Sequence, residues 1–159
     1  VYDAKDYIGC GFDAVVDFQP TCVGEFGKNK NILHKLYSKM FPNKKNIFNI
    51  IYSYKEYVKY KSNQSMPSYK QYPCVSPGWD NSCRRKNSSF MMFKGNTPTL
   101  FATWLKSTML KFIPYSKDEN FVFINAWNEW AEGNHLEPDV KWGNQFLNVL
   151  KQVVESEKQ

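Results

Sequence analysis

Four short apolar runs, each followed by a stretch with helical spacing, constrain the fold of this chain more than any other feature. Runs rich in Val, Ile, Phe and Tyr read as strands, and apolar residues recurring at three and four positions read as helix faces, so the order is a repeated βα unit. The first run, Phe12 to Phe18, is closed by Pro20; Ile32, Leu33, Leu36, Tyr37, Met40 and Phe41 then share one helical face. The second, Asn46 to Tyr52, ends at Ser53, three residues before Glu56, the spacing of a capping box that opens a short helix to about Lys61. The third, Tyr72 to Val75, runs into Ser76-Pro77-Gly78-Trp79-Asp80-Asn81, where Pro and Gly stop it and a loop rich in Ser, Asn, Arg and Lys follows. Thr97 and Pro98 supply an N-cap and a first-turn proline for a helix whose face is Leu100, Phe101, Trp104, Leu105, Met109 and Phe112. The fourth run, Phe121 to Ile124, leads through Asn125-Ala126-Trp127 into an acidic motif, and Phe146, Leu147, Leu150, Val153 and Val154 make the last amphipathic helix.

Consecutive βα units call for a parallel sheet, because parallel neighbours need crossover connections and helices supply them. Two architectures fit. One is a small open parallel sheet that closes its own core. The other is the C-terminal half of an eight-unit (β/α) barrel, since a whole barrel takes about 250 residues and this chain has 159. In either, ligands bind beyond the carboxyl ends of the strands. Asp17 and Gln19, Tyr54, Trp79-Asp80-Asn81, and Glu129 with Glu132 fall at those places.

Glu129 and Glu132 in Asn128-Glu129-Trp130-Ala131-Glu132-Gly133 are the candidate catalytic pair. Cleaving or making a glycosidic bond commonly takes two carboxyl groups, one to protonate the leaving oxygen and one as base or nucleophile. Residues three apart on a helical turn have Cβ atoms roughly 5–6 Å apart, whereas an extended chain points them to opposite faces, so the loop is expected to turn after Trp127. Desolvation by Trp127 and Trp130, added to mutual repulsion, is expected to keep one carboxyl protonated. The alternative is a glutamate pair on a solvated helix face. Trp127, Asn128 and Trp130 flank the pair as candidate substrate contacts, and His135 and Glu137 follow as candidates to orient Glu132 or as ordinary structural groups. Trp79, Asp80 and Asn81 offer a stacking ring and a fork of donors and acceptors for hydroxyls, unless Asp80 pairs with Arg84 or Arg85 and Trp79 packs in the core. Gln19 is a further substrate candidate, with helix capping the alternative for its neighbour Asp17.

Composition narrows the partners. The formal charge of +6, from 21 Lys and Arg against 15 Asp and Glu, is scattered along the chain and reads first as solubility; nucleic acid is not an expected partner. With 10 Tyr, 12 Phe and 5 Trp, the chain has many flat surfaces for a core or for stacking on a ligand. Cys10, Cys22, Cys74 and Cys83 form neither a C-x-x-C pair nor a set with His at zinc spacing, so no metal or other cofactor is expected. Free buried thiols in a reducing compartment, the cytoplasm, are the simple reading. No apolar run approaches the roughly 18 residues of a membrane span, and the chain begins at Val1 without Met, which leaves room for an upstream segment.

The string N-A-W-N-E-W-A-E-G-N-H-L-E-P-D, with Gly143 after it, resembles the C-terminal signature of the WbsX family. The likeness extends through G-F-D-A-V-V-D-F-Q-P at 11 to 20, G-W-D-N with Arg84 and Arg85 at 78 to 85, and T-P-x-L-F-x-x-W-L at 97 to 105. These are bacterial surface-polysaccharide proteins described as glycosyltransferases, with a domain similar to glycoside hydrolase family 99. The resemblance implies that residues 1–159 are one partial domain, the C-terminal part of that longer domain, whose N-terminal half is the partner that completes a TIM-type barrel. It implies a retaining enzyme acting on oligo- or polysaccharide in O-antigen or other lipopolysaccharide metabolism. In family 99 the motif N-E-W-x-E-G serves α-mannoside cleavage. On that likeness Glu129 draws the proton from the sugar 2-hydroxyl, Glu132 is the acid/base at the glycosidic oxygen, and the sugar's own oxygen is the nucleophile through an anhydro intermediate. A nucleotide-sugar glycosyltransferase and a non-catalytic carbohydrate-binding module are the alternatives.

Overall fold

The structure, a computed structural model, describes residues 9–20, 26, 36, 39–41, 49–85 and 89–157. It is a mixed α/β arrangement of short, mostly parallel strands and, among the described residues, three long helices. The strands of the central ladder are β1 (Val15–Val16), β3 (Gln71–Tyr72), β4 (Cys74–Val75) and β6 (Phe123–Ile124). β1 pairs in parallel with β3, and β6 in parallel with β4. The carbonyls of Lys70 and Tyr72 accept from Val15 and Asp17 at 3.0 and 2.9 Å, while those of Pro73 and Val75 accept from Phe123 and Asn125 at 2.8 and 2.9 Å. Successive carbonyls of an extended chain point to opposite edges, so β3 and β4 act as one strand with β1 on one side and β6 on the other. Pro73, between them, contributes only its carbonyl, which is all the first bond of that ladder uses.

The second apolar run does not join this ladder. It forms β2 (Ile50–Ser53), which pairs in parallel with β5 (Met91–Lys94), in register from Ile50↔Met91 to Ser53↔Lys94. The loop expected between residues 81 and 97 therefore holds a strand, whose apolar core Phe90-Met91-Met92-Phe93 supplies β2 with a partner. The other edge of β5 receives the end of the third unit, with Phe93 N donating to Trp79 O at 2.8 Å and Asp80 bridging antiparallel to Met92. The four runs are thus not neighbours in one sheet.

The helices follow their local signals. α1 (Tyr54–Asn63) starts at Ser53, whose side chain accepts from Glu56 N at 3.3 Å, as the capping box requires. α2 (Pro98–Lys111) starts at Thr97, which accepts from Leu100 N at 3.3 Å with Pro98 in the first turn. α3 (Gln145–Ser156) buries Phe146 and Val153. α2 packs between α1 and α3, and Phe101, Trp104 and Leu105 are buried at the contacts. Tyr57 meets Phe93 at 4.6 Å between ring centroids and Trp104 edge-on at 5.6 Å. The helix expected over residues 32–41 lies for the most part outside the described residues.

Cys74 is a buried free thiol as expected, whereas Cys10 and Cys83 are exposed, and Cys22 lies outside the described residues. Among the described residues no helix is long and apolar enough to cross a membrane.

Candidate active site at the acidic hairpin

β6 delivers the chain to a tight hairpin. β7 (Asn128–Glu129) runs antiparallel to β8 (Asn134–His135), with Asn128 opposite His135 and Glu129 opposite Asn134. A single 3-10 turn, Trp130–Glu132, joins them, and Gly133 closes it at φ 53°. A side chain at Gly133 would be strained by that φ and would bring a Cβ to 3.1 Å from Asp80 Cβ. The chain thus turns after Trp127, as expected, with Glu129 just before the 3-10 turn and Glu132 its last residue.

The two carboxylates have different surroundings. Glu132 is ion-paired with Arg84, and its backbone carbonyl accepts from Asp80 N at 2.6 Å. Glu129 is exposed and, among the described residues, its carboxylate makes no hydrogen bond or ion pair. Trp127 and Trp130 are 53% and 49% exposed, so the tryptophans expected to desolvate the pair leave about half of their own surface open to solvent.

His135 and Glu137 orient Trp130 rather than Glu132. The indole N–H of Trp130 donates to Glu137 Oε2 at 2.5 Å, and its ring lies 3.7 Å from that of His135. The hairpin register causes this, because it carries Glu132 to the tip while His135 returns opposite Asn128. Burial holds the His135 pKa below the usual imidazole value, opposed by the charges of Asp139 and Glu137. Its Nε2 is 3.9 Å from Asp139 Oδ2, and its buried Nδ1 has no protein partner.

The Gly78-to-Arg84 segment is the saddle under the hairpin. Asp80 Oδ1 accepts from Ser82 N at 2.9 Å and Asn81 Oδ1 accepts from Met91 N at 3.0 Å, so Asp80 spends one of its two carboxylate oxygens on the backbone and Asn81 its one side-chain oxygen. Trp79 is half-buried against the core, with its indole nitrogen unpartnered. Arg84 meets Glu132, not Asp80. Nothing in local spacing marks that pairing, since the two residues are 48 positions apart. Beneath lies a buried polar layer. Gln19 is fully buried, its Oε1 accepting from Tyr57 OH at 2.5 Å, while its backbone carbonyl accepts from Asn125 Nδ2 at 2.6 Å. Asp17 pairs with Lys61 at 2.8 Å instead of capping a helix. Ser76 Oγ lies 2.9 Å from Asn134 Oδ1. The Tyr54 hydroxyl donates to Ser76 O at 2.7 Å, and burial pushes its pKa well up, which keeps this tyrosine a neutral strut. Among the described residues, no three His, Cys, Asp or Glu side chains gather as a metal site.

Comparison with known proteins shows the family: the chain belongs to the one described as glycosyltransferase WbsX, whose model matches residues 2–150. It is also similar to two copies of a protein called uncharacterized protein WxcX, from strains B100 and ATCC 33913 of Xanthomonas campestris pv. campestris. Each is 29% identical over 154 residues, which is 96% of this chain and 21% of the relative's length. The chain therefore spans about a fifth of the curated relatives it matches. No solved structure matches it.

Proposed function

We propose that the acidic hairpin is the catalytic edge of a carbohydrate-active enzyme that cleaves or transfers a glycosidic bond in cell-surface polysaccharide metabolism, acting in the cytoplasm. The observation that carries this reading is the asymmetry of the pair: Glu129 is free and flanked by open Trp127 and Trp130, whereas Arg84 fixes Glu132. Ring faces stack on the apolar face of a sugar, and Asn128 with the second carboxylate oxygen of Asp80 and the amide NH2 of Asn81 supplies hydroxyl contacts. Gln19, buried below, holds the strand ends together.

The family resemblance gives the roles. Glu129 takes the proton of the sugar 2-hydroxyl as that oxygen attacks the anomeric carbon, and Glu132 protonates the departing glycosidic oxygen. Arg84 bonds one oxygen of Glu132, Oε1, and leaves the other for this transfer. A water or acceptor hydroxyl then opens the anhydro ring, giving its proton to Glu132 while Glu129 returns its own. The description of the family as glycosyltransferases favours a sugar acceptor over water.

The chain reads as the C-terminal part of a longer (β/α) domain. Among the described residues the outer edges of β1 and β6 are unpaired, and Val16, Phe18, Phe121 and Phe123 are exposed beside them. A remaining segment of the longer protein that adds strands there would cover both edges.

The deciding measurement is turnover of α-linked glycans by the full-length protein, with analysis of the product anomers. Glu129→Gln and Glu132→Gln each lower turnover by about 10²–10⁴-fold, the usual share of general acid–base catalysis, and leave glycan affinity near that of the parent. Parental turnover in both variants ends this reading.

A further inference from the structure

A cavity of about 460 Å³ lies between the end of α1, residues 64–71 and α2, and none of Trp127, Glu129, Trp130 or Glu132 lines it. Its size is within the roughly 300–1,000 Å³ of small-molecule sites. The charged groups on its wall are already engaged. Lys61 Nζ is 2.8 Å from Asp17 Oδ2, and both side chains are mostly buried, at 10% and 19% exposure. Lys111 Nζ donates to the backbone carbonyls of Gln64, at 3.0 Å, and Ser62, the last turn of α1.

Other polar groups there are unspent. Among the described residues, the side-chain amides of Gln64 and Gln71, the Thr108 hydroxyl and the second Asp17 oxygen have no partner. An apolar occupant would strand these groups, at a cost in unmade hydrogen bonds. A free anion would meet the Asp17 carboxylate, Lys61 already paired with it, and Lys111 with two of its three donors spent on carbonyls. A neutral ligand with many hydroxyls meets neither penalty. Asp17 and Lys61 hold an acceptor beside a donor, which matches two adjacent hydroxyls, each able to give and to accept. The amides of Gln64 and Gln71 offer the same pairing, and Trp104 gives the cavity an apolar wall.

The geometry points to a second saccharide site in this cavity, binding a neutral mono- or disaccharide unit separately from the acidic hairpin. It seats a part of a glycan, or a free sugar, that the hairpin does not touch.

The test uses the full-length protein, with ligand-observed saturation-transfer titrations of mannose, glucose, galactose, N-acetylglucosamine and their disaccharides, and with glucuronate and inorganic phosphate as anionic comparators. Thr108→Phe fills the cavity, and the double change Gln64→Ala with Gln71→Ala removes its amides without adding bulk. Circular dichroism checks that each folds. At least one neutral sugar binds with an affinity that falls about tenfold or more in both variants, and the same loss is measured in a Glu129→Gln background. Neutral-sugar affinity that ignores both variants overturns the site, as does binding of phosphate or glucuronate in place of neutral sugars. These outcomes are separate from those at the hairpin: turnover lost in Glu129→Gln with no response to the cavity variants sinks the second site alone, and the reverse sinks the catalytic reading alone.

Discussion

The helical side of the molecule and the acidic hairpin are held together by different physics. Around the helices the contacts are between large rings: Tyr54, Tyr57, Phe101 and Trp104 are 0–2% exposed, with Tyr54 and Tyr57 edge to face with Trp104 and Phe101 edge to face with Phe146. At the hairpin the groups that fix the chain are polar: an ion pair, an amide on the Glu132 carbonyl, a carboxylate on an indole N–H and a glycine in the left-handed region. The large rings there face outward. Apolar burial resists perturbation of the fold and is indifferent to small shifts, whereas polar contacts set the direction of particular atoms and contribute little to net stability. A scaffold that carries its stability in one region is free to keep another open and chemically available.

The comparison breaks first at Trp104. Trp104→Ala removes a buried indole from between α1 and α2, and large-to-small changes of this kind cost about 3–5 kcal/mol. The expected result is a large fall in the urea midpoint with the m-value kept. A loss under about 1 kcal/mol would mean that the aromatic cluster is not the anchor of the fold.

At the hairpin the most sensitive backbone position is Gly133, at φ 53° and against Asp80. Gly133→Ala is expected to cost about 1–3 kcal/mol, from the conformation and from the displaced neighbour. In amide exchange the faster opening should stay within residues 126–137, because only the hairpin has lost its fit. Opening that spreads to α2 would show the two regions to be one cooperative unit.

The contrast also explains how far the sequence could be read. The starts of α1 and α2 are written in adjacent residues, Ser53 with Glu56 and Thr97 with Pro98, and the structure uses both. The turn expected after Trp127 was legible in the acidic motif for the same reason, and the structure makes it at Trp130–Glu132. Strand pairing was not, because β2 finds its partner some forty positions away in β5 rather than in the neighbouring runs, and register is a property of two distant segments. Arg84 opposite Glu132 and Lys61 opposite Asp17 are equally distant pairs. The outward faces of Trp127 and Trp130 went unread because aromatic residues next to carboxylates fit a lid and a platform equally well, and only the hairpin register separates them.

Arg84→Ala probes what a polar contact is for. Arg84 is 56% exposed on its side chain, and exposed ion pairs contribute under about 1 kcal/mol to stability. The urea midpoint should therefore hardly move. If the pair serves to aim Glu132, turnover falls about tenfold or more with affinity little changed, Arg84→Lys keeps part of it, and added guanidinium restores part of the alanine variant. A midpoint shift as large as that of Gly133→Ala, without rescue, would move Arg84 to the structural side of the comparison.

The smallest expected effect is a pH dependence carried by His135. Burial disfavours its charged form and holds its pKa down, against the raising influence of Asp139 and Glu137. The folded state then binds a proton less readily than the unfolded chain, so the contribution of His135 to stability is whole above the ordinary imidazole value and declines as pH falls below it, until the lower folded-state pKa is passed. In urea titrations the parent should lose stability through this residue as the pH falls from about 7 to about 5, and His135→Gln should lack that component while keeping the decline due to carboxylates. Because the ring also stacks on Trp130, the variant should loosen the indole that Glu137 holds, visible as a red shift of tryptophan emission at neutral pH. An unchanged pH slope together with an unchanged spectrum would mean that the Glu137 contact alone sets the platform and that His135 is a bystander in the hairpin.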